Sequence, residues 1–219
     1  PQRLDHAMLA GLILAAGQAR RFGQDKRAAL LPNGQGMLAH VLSQYRPVCP
    51  MLWVVTPPHD ALGTELCQTF GAIQVVNPDA ALGLGSSLAC GIRAIQAIQA
   101  SAEAPTFAGV IIGLADMPAV DTELIERLAQ ATQADGAQRP VVPVVFSATD
   151  QPPQMGHPRV LPARYFPQLA ALSGDRGAQS VVNWSEALQV DVGHAGVLQD
   201  IDTPDDLARL AQPWVSGPR

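Results

Sequence analysis

Three acidic residues stand where they could bind a metal ion. Asp116 closely follows the apolar run Val110 to Leu114, which is typical of a buried strand. Asp200 and Asp202 alternate around Ile201, so an extended segment would point both side chains the same way. Carboxylate oxygens suit Mg²⁺, which binds one or two carboxylates together with substrate phosphates and water. The sequence therefore predicts a magnesium site at Asp116, and the pair of Asp200 and Asp202 also invites a cation.

The other acids near these positions have structural explanations. Asp121 is placed to cap the helix that follows Asp116. Thr203 is suited to the N-cap of a later helix, Pro204 to its first position, and Asp205 and Asp206 to its first turn. The acids at these positions therefore need no ligand to account for them.

The segment from Leu14 to Lys26 is typical of a phosphate-binding loop. Its small residues let the backbone approach a ligand, and consecutive amide groups can hold phosphate oxygens. Two basic side chains would add positive charge for a triphosphate. The segment lacks the spacing of a Walker A loop and of a dinucleotide fingerprint, so it is a third kind of loop. The alternative is a basic surface turn. The predicted phosphate-binding residues are Leu14, Ala15, Ala16, Gly17, Arg21 and Lys26.

Two further segments are weaker signals when taken alone. Between Asn77 and Leu88, a Gly-Leu-Gly-Ser-Ser run leads into a helix, with Ser86 or Ser87 as the expected N-cap and free amides that favour an anion. A glycine turn with a cap explains the same residues. His157 lies in a Gly-His-Pro step, and a lone histidine there is more often a loop residue than a catalyst.

Composition limits the class of protein. The 219 residues carry a net charge of −5 and are 47% hydrophobic and 15% charged, which fits an ordinary globular domain. We expect no nucleic-acid partner, because such a surface needs a basic stripe, and no membrane span or leader, which points to the cytoplasm. The three cysteines, widely spaced and odd in number, are interpreted as structural thiols.

Short apolar runs alternate with segments of helical spacing. This alternation predicts one α/β domain: three αβα layers around a mainly parallel, doubly wound sheet, with a small antiparallel addition in the proline-rich second half. Ligands of such sheets bind beyond the carboxyl ends of the strands. The predicted strands are Met8 to Leu14, Met51 to Val55, Ile73 to Val76, Val110 to Leu114 and Val141 to Phe146. The predicted helices are Met37 to Tyr45, Asp60 to Phe70, Ser86 to Gln99 and Thr122 to Thr132.

These motifs together resemble the glycosyltransferase-A-like nucleotidyltransferases. Their triphosphate loop is similar to the run Leu-Ala-Ala-Gly that is followed here by an arginine, Phe-Gly and a lysine. Their metal-binding acid is similar to the Asp-x-Pro step at Asp116. The Gly-His-Pro step and the later Leu-Ser-Gly-Asp-Arg-Gly-Ala run resemble one branch, the molybdenum cofactor cytidylyltransferases. The resemblance extends from about Gly11 to Leu207. Ala15-Ala16-Gly17 departs from the Ala-Gly-Gly that is common in the guanylyl branch, which favours CTP.

The resemblance implies a function and several residue roles. It implies transfer of CMP from CTP to the terminal phosphate of molybdenum cofactor with Mg²⁺, and a molybdoenzyme that receives the product. It further implies Asp202 as the second metal ligand, His157 on the acceptor side, and catalytic roles for Lys26, Arg21 and Asp116. The nucleotide-binding half would cover about 8–120 and the acceptor-binding half about 121–212. The resemblance adds Pro78, Gly85 and Ser86 to the nucleotide-binding residues.

Three other functions remain open on the sequence alone. One is a guanylyltransferase or sugar-phosphate nucleotidyltransferase of the same fold. A second is a non-catalytic chaperone for molybdenum cofactor, against which the retained lysine and acids argue. The third, a nicotinamide oxidoreductase, is disfavoured because the dinucleotide fingerprint is absent.

Overall fold

The predicted strands form the centre of a single sheet. The computed structural model describes residues 8–17, 25–101, 105–146 and 151–210. The strands of these residues are β1 (Met8–Leu14), β2 (Leu52–Thr56), β3 (Ile73–Val76), β4 (Phe107–Leu114), β5 (Val141–Val145), β6 (Gln154–Met155), β7 (Arg159–Pro162) and β8 (Leu188–Asp191).

The sheet is mixed, as the sequence predicts. Its strand order is β3-β2-β1-β4-β7-β5-β6, with β8 beside β5. Strands β1 to β4 pair in parallel, and β8 is parallel to β5. The antiparallel addition consists of β7, which pairs with β4 and β5, and of β6, which pairs with β5. The carboxyl ends of β1 and β4 therefore lie side by side.

Helices cover both faces of this sheet. The α-helices of the described residues are α1 (Met37–Tyr45), α2 (Ala61–Phe70), α3 (Leu84–Gln99), α4 (Thr122–Ala134), α5 (Phe166–Ala170) and α6 (Pro204–Leu210). One apolar cluster joins α1, α2 and α4 to the sheet, and a second joins α3 and α5 to its opposite face. Alternate residues of β1 enter the two clusters, with Ile13 in the first and Leu12 in the second. The three-layer prediction is confirmed.

Most predicted boundaries agree with the structure within one or two residues. The largest shifts are at β4, which begins three residues early at Phe107, and at α3, which begins at Leu84. Asp121 caps α4 as predicted, since its side chain accepts a hydrogen bond from Leu124 N at 2.9 Å. The longest described helix, α3, has 16 residues, and none of the described helices is long and apolar enough to cross a membrane. Cys49, Cys67 and Cys90 are all free thiols.

Candidate functional site

The three acids predicted to bind metal meet at one point. Asp116 follows β4, while Asp200 and Asp202 precede α6, and one oxygen of each lies within 4.8 Å of the others. Ile201, which is buried between the two later acids, donates its N–H to Asp116 O at 2.9 Å and fixes the two segments together. Three carboxylates this close repel one another unless a cation lies among them. The cluster is chemically suited to a hard divalent cation.

Lys26 supplies positive charge to this cluster. Its Nζ donates to Asp116 Oδ2 at 2.7 Å, to Asp202 Oδ1 at 3.0 Å and to the carbonyl oxygen of Ile201 at 3.1 Å. Burial alone would lower the pKa of Lys26, but the hydrogen bonds and charges of Asp116 and Asp202 outweigh burial and raise it above its usual value. Lys26 is therefore a fixed ammonium group.

Arg27, which the sequence analysis did not single out, holds this turn in place. Its guanidinium donates to Asp60 Oδ1 at 2.9 Å, to Ala15 O at 3.1 Å and to both oxygens of Asp25. Asp60 is 3% exposed and also caps α2, accepting from Gly63 N at 3.0 Å. The two acids raise the pKa of Arg27 against the opposing effect of burial. The arginine thus joins the residues after β1 to the start of α2.

The loop after β1 is described only at its two ends. Ala15 and Ala16 are buried, and Ala15 N donates to Val55 O at 2.9 Å. Gly17 is exposed and faces open space, as a backbone that approaches a ligand requires. Arg21, predicted to bind phosphate, lies outside the described residues. The position of Lys26 at the end of this loop agrees with a phosphate site, and the roles of Leu14, Ala15, Ala16 and Gly17 stay predictions.

The second glycine-rich segment differs from its prediction. The N-cap of α3 is Gly83, not Ser86 or Ser87, and no side chain caps this helix. Ser86 is 8% exposed and forms hydrogen bonds with Asn77 and with Asp79 O, while its own amide donates to Gly174 O at 3.1 Å. This amide is therefore not free to bind an anion, contrary to the prediction from the helix start.

A second loop explains why the serines are not caps. An added Cβ at Gly85 would collide with the carbonyl oxygens of Gly174 and Arg176, so the segment around these residues packs directly on the first turn of α3. Pro78, by contrast, is exposed. The nucleotide-binding roles of Pro78, Gly85 and Ser86 stay predictions, with Gly85 and Ser86 now placed beneath this second loop.

His157 lies beside a small pocket on the α3 face of the sheet. The pocket has a volume of about 160 Å³, and His157, Arg159 and Gln179 are its polar lining. His157 N donates to Val197 O at 2.9 Å, whereas its Nδ1 is buried and has no hydrogen-bond partner among the described residues. The aliphatic lining consists of Leu14, Leu84, Leu88, Ile112, Leu114 and Leu161.

The other described histidines make structural contacts or lie at the surface. His40 Nε2 lies 3.1 Å from Pro118 O and so connects α1 to the turn after Asp116. His194 accepts a hydrogen bond from Gly196 N, and His59 is exposed in a turn. His6 lies outside the described residues.

We expect His157 to make folding stability depend on pH. Burial, and then the positive charge of Arg159, lower its pKa to about 4, while a backbone hydrogen bond with Ile112 opposes them. The unfolded chain, with a histidine pKa near ~6.5, binds a proton that the folded protein excludes between these values. Stability is therefore lost as the pH falls from about 6.5 to 4. The loss reaches about 3 kcal/mol at about 1.4 kcal/mol per pKa unit.

Urea unfolding at pH 7.5, 6, 5 and 4 measures this effect. In His157→Gln the loss of folding stability on lowering the pH should be smaller than in the wild type by most of that amount. The matched control is His59→Asn, which removes an exposed histidine and tolerates its φ of 58°. Equal acid-side losses in the wild type and in His157→Gln would contradict the assignment.

Known proteins were compared with the chain and its structure. The family described as the MobA-like NTP transferase domain matches residues 11–190. A probable molybdenum cofactor guanylyltransferase of Mycobacterium tuberculosis is 30% identical over 217 residues, covering 95% of this chain and 96% of the relative.

Two solved structures share the fold. The homologue of M. tuberculosis Rv0371c from Mycobacterium sp. strain JC1 has a TM-score of 0.71 at 26% identity, covering 93% of this chain and 94% of its own. A CMP:2-keto-3-deoxy-manno-octonic acid synthetase complexed with CTP has a TM-score of 0.68 at 15% identity, covering 94% and 97%. The match to the family extends over most of the chain and includes Lys26 and Asp116. The chain belongs to the MobA-like NTP transferase family.

Proposed function

We propose that this protein transfers CMP from CTP to the terminal phosphate of molybdenum cofactor. An oxygen of the acceptor phosphate forms a bond to the α-phosphorus of CTP. The bond from the α-phosphorus to the bridging oxygen breaks, and pyrophosphate leaves with the electron pair. This chemistry needs no covalent protein nucleophile; it needs positioning and neutralisation of charge.

One observation carries the proposal: Lys26 and the three acids meet beyond the carboxyl ends of β1 and β4. Ligands of α/β sheets bind at this edge. An ammonium group within 3.0 Å of two carboxylates, beside the loop that follows β1, provides charges of both signs within one site. A nucleotidyltransferase requires both, because its nucleotide is a polyanion that is bound together with a cation.

The donor set fits Mg²⁺. Asp116 and Asp202 would hold the ion, with Asp200 as a third oxygen donor, since all three offer hard ligands within 4.8 Å. When bound, Mg²⁺ would neutralise charge on the phosphate oxygens. With the acids so occupied, Lys26 would exchange its carboxylate partners for phosphate oxygens. Arg21 and the backbone of Gly17 would complete the anion site, and His157 would lie on the acceptor side.

The choice of CTP has its own support. Ala16 is 3% exposed and packs in the cluster beneath α3, so its methyl group occupies space that a glycine would leave open. The guanylyl branch commonly has a glycine at this position, and this departure favours CTP. Guanylyl transfer is the second candidate, because the curated relatives carry that name at up to 30% identity. An acceptor of the molybdenum cofactor type is common to both.

Pyrophosphate release with four nucleotides tests the proposal. We expect release from CTP in the presence of Mg²⁺ and molybdenum cofactor, with at least about tenfold less from GTP, ATP or UTP. Omission of the cofactor is the control for hydrolysis. A preference for GTP would favour the second candidate. Release only with a sugar phosphate as the acceptor would contradict the assigned acceptor, and cofactor binding without any release would indicate a delivery role.

A further inference from the structure

Arg159 is an unusual residue for the place it occupies. It pairs with Ile112 across β7 and β4, and directly opposed residues of antiparallel strands point to the same face of the sheet. That face is the apolar one beneath α3, which includes Ile112 and Leu161. The guanidinium group of Arg159 therefore lies among aliphatic side chains, where burying a charge costs free energy unless the charge is paired.

The contacts of Arg159 do not neutralise its charge. Its Nε donates to Gly156 O at 3.2 Å, and the guanidinium lies over the ring of Trp184, 4.6 Å from the centroid. Among the residues that the structure describes, Arg159 forms no ion pair. Burial alone lowers its pKa, with no acid to oppose the effect. Its remaining N–H groups are consequently suited to an anion supplied from outside.

Among the residues that the structure describes, no acid lines the pocket beside Arg159. Aliphatic side chains line most of it, and the nearby His157 is neutral at physiological pH because its pKa is lowered to about 4. Within the described lining, the guanidinium of Arg159 is thus the one charged group. An uncharged nucleobase would leave that charge without a counter-ion, so an anionic occupant fits better.

The position of the pocket distinguishes this anion from the reacting phosphates. Ile112, the partner of Arg159 in the sheet, lies two residues before the end of β4, whereas Asp116 lies in the turn beyond it. Neither Lys26 nor any of the three acids lines the pocket, so a phosphate held between Lys26 and Asp116 lies outside it. The two sites would be occupied by different groups, and an acceptor with two anionic groups could bridge them.

We propose that Arg159 and this pocket bind the non-reacting anionic end of the acceptor, while the acceptor's terminal phosphate reacts at the acid cluster. The proposal rests on the proposed function and deepens it. The acceptor class that it specifies carries two separate anionic groups, joined by a body that can pack on aliphatic side chains. The contact with the Trp184 ring stabilises the guanidinium without using its N–H groups as donors to an acid.

Equilibrium binding without turnover tests this site. Calorimetric titration of molybdenum cofactor into the full-length protein, without nucleotide, should show about 10- to 100-fold weaker binding in Arg159→Met, the loss expected for a charge-assisted hydrogen bond. Arg159→Lys should be intermediate, because it keeps the charge but loses the planar fork. The affinity for CTP, titrated separately, should remain within about twofold, because its triphosphate is bound at Lys26 and the acid cluster, which do not line the pocket.

Arg164→Met is the matched control. Arg164 also lies over an aromatic ring, that of Tyr165 at 5.0 Å, but it is exposed and outside the pocket lining. Its loss should leave both affinities unchanged. Thermal unfolding separates binding from folding, and if Arg159→Met does not fold, Arg159→Lys and Arg159→Gln take its place.

The possible outcomes separate this inference from the proposed function. Undetectable binding in the wild type, unchanged cofactor affinity in Arg159→Met, or an equal loss of CTP affinity would overturn the inference. Unchanged cofactor affinity together with normal pyrophosphate release would leave the proposed function intact. If the wild type released no pyrophosphate but its cofactor binding still depended on Arg159, the proposed transfer reaction would be contradicted and the inference about Arg159 would stand.

Discussion

Replacing Asp116 with asparagine is expected to lower the rate of pyrophosphate release by about 10³-fold or more, which corresponds to about 4 kcal/mol of transition-state stabilisation. Asparagine keeps the size of the side chain and loses its charge. Asp116 is the acid nearest to Lys26, at 2.7 Å, and it follows the central strand β4. Its loss would weaken the anchor of the cation and also leave Lys26 with one carboxylate partner fewer.

The controls for this variant come from the same part of the chain. Asp205→Asn removes an exposed carboxylate from the first turn of α6, outside the three-acid cluster, and should keep full activity. Asp200→Asn should show a smaller loss than Asp116→Asn, because Asp200 is exposed and is not bonded to Lys26 in the described contacts. Initial rates of pyrophosphate release with saturating CTP and cofactor provide the measurement. Activity in Asp116→Asn close to that of the wild type would remove Asp116 from the metal site.

The strands and their order along the chain were predictable from the local sequence pattern. Runs such as Val110 to Leu114 are apolar, short and bounded by turn residues, so each predicted strand is present. Asp116 could be assigned to a site because an acid after a parallel strand lies at the carboxyl edge, whereas the family resemblance assigned Asp202 to the same site. Asp200 and Asp202 were paired correctly, since their alternation around one buried residue already fixes their relative direction.

The contacts that complete the site were not predictable, because they join distant segments. Lys26 and Asp202 are 176 positions apart, and no local pattern relates them. Ser86 looked like a cap because serine before an apolar helical stretch usually is one. The carbonyl oxygen of Gly174, which takes up its amide, belongs to a segment almost ninety positions later. Arg159 had a local signal that was missed: its alternation with Val160 and Leu161 puts a charge on a face that is otherwise apolar.

The loss of Arg27 is expected to have the largest effect on stability. In Arg27→Met the carboxylate of Asp60, only 3% exposed, would remain buried without its counter-charge. Breaking a buried pair in this way costs about 3–5 kcal/mol. Asp25 contributes less, because its side chain is 42% exposed and its ion pair is screened by solvent. Urea unfolding at pH 7.5 measures the loss directly.

A double variant separates the buried charge from the shape of the residue. Arg27→Met with Asp60→Asn removes both charges, and asparagine can still cap α2 as Asp60 does. We expect the double variant to recover much of the stability that Arg27→Met loses, so that the two changes are far from additive. Additive losses would mean that Arg27 acts through its contacts with Ala15 and Asp25, and not through Asp60. Because Lys26 is the next residue to Arg27, the double variant should regain stability without regaining full activity. The carbonyl of Ala15 and the turn that carries Lys26 would still lack the guanidinium that joins them.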